Sequence, residues 1–78
     1  MRRVRVYSRP GCHLCECLIE ELVPLLAGRG ELEVRDVDTN GGWRDRFGDR
    51  VPVVTIDGRI VCEARLDRQA LDEALAAA

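Results

Sequence analysis

Residues 6–15 read VYSRPGCHLC, a stretch in which Cys12 and Cys15 are separated by two residues. Residues 3–7 alternate arginine with apolar side chains, and this period of two predicts a strand. A turn follows, and we predict that a helix begins at Cys12 and extends to about Ala27. Unpaired backbone N–H groups and the helix dipole favour a thiolate at the start of a helix. The cysteine pair therefore predicts reversible dithiol–disulfide chemistry.

The rest of the chain predicts three more strands and two more helices. The strands are expected at residues 31–37, 51–56 and 59–63. A helix between the first two strands makes that pair parallel, and the Asp-Gly turn at residues 57–58 makes the last pair antiparallel. Pro24 should kink or shorten the first helix, Trp43 and Phe47 mark a short second helix, and Asp67 should cap the third. The predicted order is βαβαββα, an α/β fold with a four-stranded mixed sheet flanked by helices.

Length and composition limit the possible functions. The chain has 78 residues, which is enough for one small domain. A net charge of -2 and only three aromatic residues argue against a nucleic-acid partner. The sequence contains no signal-peptide pattern and no apolar run of membrane-spanning length, so we expect a cytoplasmic protein without a membrane partner. Nothing in the sequence requires more than a monomer. Thiols are kept reduced in that compartment, where close cysteines are more often catalytic or metal-binding than structural.

Two segments resemble one known family. Residues 6–15 resemble the active-site segment of glutaredoxins, and VPVV at residues 51–54, with the following Asp-Gly turn, resembles their cis-proline strand and hairpin. The resemblance covers nearly the whole chain and is closest to a bacterial family of very small, poorly characterised glutaredoxin-like proteins. It implies a thioredoxin-like (glutaredoxin-like) fold formed as one domain over residues 1–78, and a thiol–disulfide oxidoreductase.

The two cysteines of the motif are assigned different roles. Cys12 is the expected nucleophile, because it lies at the helix start. Cys15 lies one turn deeper on the same side of the helix, and we expect it to be the resolving thiol. Arg9 and a protonated His13 are candidates for stabilising the Cys12 thiolate, although His13 is equally consistent with a solvent-exposed histidine of little effect.

A substrate-binding group is expected around the cysteine motif. Its members are Arg9, Pro10, His13, Val51 and Pro52. The resemblance implies a cis bond before Pro52, packed against the dithiol, so that the backbone of Val51 can pair with a cysteine-containing peptide as an added strand would. The alternative is an ordinary edge-strand proline with a trans bond.

Two further cysteines keep other interpretations open. Cys17 should face away from the dithiol, and we expect it to be a buried, inert thiol. Cys62 is expected to be a core residue, but the returning fourth strand could also bring it towards Cys12 and Cys15. An alternative function is therefore a zinc or copper carrier, or a redox sensor, that uses these three thiolates. A redox-inactive adaptor is a third possibility, which the intact cysteine pair argues against.

Glutathione is an uncertain co-substrate, and no bound cofactor is expected. Glutathione-dependent glutaredoxins usually carry two glycines after the fourth strand, where this chain has Cys62 and Glu63. Asp67 is displaced from the acidic residue expected next, whereas Arg65 or Arg9 could still contact a carboxylate. The expected partners are a disulfide-bearing protein or a small thiol, with glutathione or thioredoxin reductase as the electron donor.

Overall fold

Four strands of the predicted order form one mixed sheet in the computed structural model, which describes residues 1–77. They are β1 (Arg2–Ser8), β2 (Gly30–Asp36), β3 (Val53–Ile56) and β4 (Arg59–Glu63), arranged as β2-β1-β3-β4. β1 and β2 are parallel, whereas β3 is antiparallel to both β1 and β4. The predicted parallel pair and the predicted hairpin are therefore confirmed.

Three helices cover the two faces of this sheet. They are α1 (His13–Leu25), α2 (Gly41–Phe47) and α3 (Arg68–Ala76), and a short 3-10 turn (Val37–Thr39) precedes α2. α1 and α3 share the larger core with three strands, formed by Val4, Val6, Leu18, Leu22, Leu26, Val54, Ile56, Cys62 and Leu71. On the other face, the Tyr7 ring stacks on Phe47 of α2 with centroids 4.3 Å apart. Alternation along β1 explains this division, since Val6 and Tyr7 point to opposite faces.

Side-chain caps fix the starts of the second and third helices. Asn40 Oδ1 accepts hydrogen bonds from the backbone N–H groups of Gly42 and Trp43 at 2.9 and 3.2 Å. Asp67 Oδ1 accepts one from Ala70 at 3.0 Å, as its predicted capping role requires. No helix within residues 1–77 combines the length and apolar character needed to cross a membrane.

Several element boundaries differ from the sequence-based expectations. α1 ends at Leu25, one residue after Pro24, so the proline shortens the helix. β3 begins at Val53, two residues later than predicted, since Val53 is the first residue that pairs with β1. β2 ends at Asp36, and a 3-10 turn that the sequence did not predict follows it. The Asp36 carboxylate caps this turn by accepting from the Asp38 N–H at 2.9 Å.

A β-bulge in β4 sets the direction of Cys62. Cys62 is paired with Val54, whereas Ile60 is paired with the next residue, Thr55, so that Val61 is the extra residue. Cys62 consequently shares the face of Val54 and lies in the α1–α3 core. Regular pairing would have turned it to the opposite face.

Candidate active site

Two segments outside the strands meet at one edge of the sheet. β1 and β3 are antiparallel neighbours, and Tyr7, near the end of β1, pairs with Val53, the first residue of β3. The turn that leads from β1 to Cys12 and the residues that precede β3 therefore lie at the same edge. This juxtaposition brings the cysteine motif to the same edge of the sheet as the Val51–Pro52 segment.

Cys12 is the N-cap of α1, so the helix begins one residue after the predicted start. Its Sγ accepts a hydrogen bond from the backbone N–H of Cys15 at 3.2 Å, and its C=O accepts one from Glu16 at 3.0 Å. Gly11, with a φ of 76°, supplies the left-handed turn residue that delivers the chain to this cap. The Cys12 side chain is partly exposed. An N–H aimed at a solvent-accessible sulfur stabilises negative charge on it, which suits a nucleophile.

Cys15 lies beneath Cys12 and is 1% exposed. Burial, followed by a hydrogen bond to the Cys12 side chain, raises the pKa of the Cys15 thiol to about 11, and the nearby Arg9 offsets this only in part. Both cysteines are free thiols in this structure. The pair therefore combines an accessible sulfur that receives an N–H with a buried thiol that is held protonated.

Selective alkylation tests this asymmetry. We expect iodoacetamide at neutral pH to modify Cys12 well before Cys15 in the folded, reduced protein, because Cys15 is both buried and protonated. The rate at Cys15 should rise roughly tenfold per pH unit until the pH approaches its pKa. Peptide mass mapping over a pH series measures both rates. Equal rates in the folded protein would contradict the assignment, and equal rates in denaturant are the control.

Arg9 forms a clamp with a carboxylate that follows β2. Its Nε and Nη2 donate to the two Asp38 carboxylate oxygens at 2.8 and 3.2 Å, and its Nη1 donates to the Gly48 carbonyl at 3.2 Å. Hydrogen bonding to Arg9 also lowers the pKa of Asp38. The Arg9 carbonyl accepts from the Cys12 N–H at 3.2 Å, so the clamp fixes the active-site turn. Pro10 lies exposed within this turn.

His13 lies at the first position of α1 and points to a thiol outside the motif. Its Nε2 lies 3.5 Å from the Sγ of Cys17, one helical turn along. Cys17 is partly exposed and lies in a groove with Leu14 and Arg65, so the expectation of a buried thiol was wrong. Leu14, which lines the same groove, is also exposed. The spacing of four residues between His13 and Cys17 could have indicated their contact.

The Val51–Pro52 segment offers an unpaired backbone edge. The bond between the two residues is cis, which confirms the implied conformation, and Pro52 is buried. The Pro52 carbonyl accepts from the Ala64 N–H at 2.8 Å. The N–H and C=O of Val51 have no hydrogen-bond partner within the part of the chain that the structure describes. Val51 is thus free to pair with an incoming extended peptide.

The residues at and after the end of β4 have different surroundings and partners. Cys62 is 8% exposed, and burial raises the pKa of its thiol. The Glu63 carboxylate is bound by Arg50 Nη1 at 3.1 Å, Arg65 is exposed, and Asp67 caps α3. Within residues 1–77, no three His, Cys, Asp or Glu side chains come close enough together to hold a metal ion. The structure therefore does not assemble the three-thiolate site of the carrier alternative.

Asp38 and Arg50 are the site residues that sequence reasoning missed. No role at the site was predicted from the sequence for either residue. Topology could have indicated the first contact. Arg9 follows β1 and Asp38 follows β2, and the carboxyl ends of parallel neighbours lie at the same edge of a sheet. The contact between Arg50 and Glu63 depends on the bulge in β4, which carries no clear sequence signal.

Comparison with protein families matches residues 3–76 to the glutaredoxin-like domain (DUF836). An uncharacterised protein of Mycobacterium tuberculosis is 40% identical over 63 residues, which cover 73% of this chain but 65% of that protein, so the chain spans less than two thirds of its length. A glutaredoxin-like protein of Dictyostelium discoideum is 33% identical over 75 residues, which cover 87% of this chain and 69% of that protein.

Solved structures give the same result at the level of the fold. A protein of Nitrosomonas europaea superposes with a TM-score of 0.86 at 36% identity and covers 96% of this chain and 92% of its own. A protein of X. campestris has a TM-score of 0.74 at 30% identity, with 96% and 97% covered. Oxidised mitochondrial thioredoxin 3 of Saccharomyces cerevisiae, with a TM-score of 0.67 at 17% identity and 95% and 76% covered, supports the thioredoxin-like fold alone.

Proposed function

This chain belongs to the glutaredoxin-like domain family, and on that premise we propose that it is a thiol–disulfide oxidoreductase that uses Cys12 and Cys15. The observation that carries the proposal is the pairing of a partly exposed, N–H-bonded Cys12 sulfur with a buried, protonated Cys15. A structural role would not need this asymmetry. A disulfide across so short a loop also adds only roughly 2 kcal/mol of stability by the chain-entropy model.

The reaction proceeds in two exchange steps. The Cys12 thiolate attacks one sulfur of a substrate disulfide, which breaks the S–S bond, forms a mixed disulfide and releases the first substrate thiolate. Cys15 then loses its proton to that thiolate and attacks the Cys12 sulfur. The Cys12–Cys15 disulfide forms and the second substrate thiolate departs. Two electrons have passed to the substrate, and the protein has been oxidised.

Two features favour a peptide or protein as the disulfide substrate. The unpaired N–H and C=O of Val51 can form strand-like hydrogen bonds with an extended backbone next to the reacting disulfide. The exposed side chains of Pro10 and Leu14 flank Cys12 in the sequence and provide apolar contact surface. Return to the dithiol requires a donor, for which glutathione and thioredoxin reductase are the candidates, and a compartment that keeps thiols reduced, such as the cytoplasm.

A single-turnover assay tests the proposal. The reduced protein is mixed with excess hydroxyethyl disulfide, and thiols that remain free are alkylated and mapped by mass spectrometry. We expect two thiols to disappear per chain, those of Cys12 and Cys15, whereas Cys17 should remain free. Turnover with glutathione and its reductase is then compared with turnover supported by thioredoxin reductase. Purified protein with stoichiometric zinc or copper and no disulfide exchange would contradict an oxidoreductase.

A further inference from the structure

Two arginines flank the candidate site, and each is bound to a carboxylate of the chain itself. Arg9, three residues before Cys12, donates two hydrogen bonds to Asp38. Arg50, next to Val51, binds Glu63 at 3.1 Å and also donates to the Arg46 carbonyl. Arg44 adds a second contact to Asp38 at 3.4 Å. The cations nearest the dithiol turn and the Val51 backbone are thus occupied.

Because both guanidinium groups are already ion-paired, they are less able to bind a negatively charged substrate. A carboxylate bound to an arginine occupies N–H groups that a substrate carboxylate would need. Asp38 binds Arg9 through both oxygens, and Glu63 binds Arg50 through one. A disulfide with anionic substituents must therefore compete with Asp38 or Glu63 for these two arginines, and it also meets the negative charge of both carboxylates. A neutral or basic peptide meets neither obstacle and still has the backbone of Val51 available. Asp38 and Glu63 thereby disfavour anionic disulfides by electrostatic repulsion.

Arg65 is the other exposed arginine named for this region, and it shares a groove with a carboxylate. It lies in the groove beside α1 that also contains Cys17, and Glu21 shares that groove. Glu21 supplies a nearby negative charge of its own. The groove adjoins the Val51 edge, because Ala64, which lines the groove, donates its N–H to the Pro52 carbonyl at 2.8 Å.

We propose that Asp38 and Glu63 are specificity-determining residues that direct the dithiol towards disulfides in neutral or basic peptides and away from anionic small-molecule disulfides. The inference rests on the proposed oxidoreductase function and narrows its substrate class. Asp38 acts through Arg9, and Glu63 acts through Arg50, so each carboxylate can be tested independently.

Three small disulfides of similar size provide the test. Cystamine carries two ammonium groups, hydroxyethyl disulfide is neutral, and dithiodipropionate carries two carboxylates. Second-order rate constants for oxidation of the reduced protein are measured by quenched alkylation at low salt, and each is divided by the rate constant for dithiothreitol with the same disulfide. The readout is the normalised ratio of the anionic to the cationic rate constant. A folding defect lowers both rate constants and leaves their ratio unchanged.

Removing either carboxylate should shift this ratio. We expect Glu63→Gln and Asp38→Asn each to raise it roughly fivefold, because each frees a cation and removes a negative charge. The gain should shrink at high salt. Asp72→Asn is the matched control. Asp72 lies on α3 and forms an ion pair with Arg29, and its loss should leave the ratio unchanged.

The outcomes separate the two proposals. Unchanged ratios in both Glu63→Gln and Asp38→Asn, with a reactive wild type, would overturn the specificity assignment alone. A wild type that is oxidised by none of the three disulfides would overturn the oxidoreductase function itself. A shift of equal size in Asp72→Asn would show a general effect of net charge and would also contradict the assignment.

Discussion

Cys12→Ser is expected to abolish disulfide exchange, with a loss of a thousandfold or more in rate, on the order seen when a catalytic nucleophile is removed. The serine hydroxyl is not ionised at neutral pH, and Cys15 cannot replace Cys12 because it is 1% exposed with a pKa raised to about 11. Oxidation of the reduced variant by hydroxyethyl disulfide, followed through the loss of free thiols, measures the effect.

Cys15→Ser should behave differently, because it leaves the first step intact. The Cys12 thiolate still attacks, but the mixed disulfide has no resolving thiol and should accumulate. Mass spectrometry would then show one added substrate half per chain, located at Cys12. Cys17→Ser is the matched control, since it removes a partly exposed thiol from the same helix and should keep the wild-type rate. Loss of exchange in Cys17→Ser, or equal residual rates in the two motif variants, would contradict the assigned roles.

The elements that hold the site were predictable because their signals are local. Alternation in β1, the Asp-Gly turn and the Asp67 cap each depend on residues a few positions apart, and each was confirmed. The position of Cys12 at the helix start followed from the turn before it. Pro24 indicated an early end to α1 for a similarly local reason, since a proline has no N–H to donate to the preceding turn.

The contacts around the site depend on how separate segments meet, and sequence spacing does not encode them directly. Arg9 was expected to act on thiolate or substrate, yet its guanidinium binds Asp38, which is 29 residues away. The direction of Cys62 depends on a single extra residue in β4. Cys17 was expected to be buried, but its side of α1 faces a groove beside the loop that contains Arg65.

Leu22→Ala is expected to lower the free energy of unfolding by about 2–5 kcal/mol, the range for a buried leucine that leaves a cavity. Leu22 is fully buried and lies in the core that joins α1 to β1 and α3. A domain of this size is stable by only roughly 4–12 kcal/mol, so the loss is a large fraction of the total. Chemical denaturation of the reduced protein, followed by circular dichroism, gives the value.

Val23→Ala is the matched control for this substitution, because Val23 is the next residue on α1 and is 53% exposed. We expect a change within about 0.5 kcal/mol, as for other surface positions. A similar loss in both variants would mean that the loss in Leu22→Ala does not come from core packing at that position. In the remaining folded fraction of Leu22→Ala, Cys12 should still be alkylated before Cys15, since the N–H contact and the burial of Cys15 arise in the first turn. If Cys12 were no longer alkylated before Cys15, the dithiol geometry would depend on packing along the whole of α1.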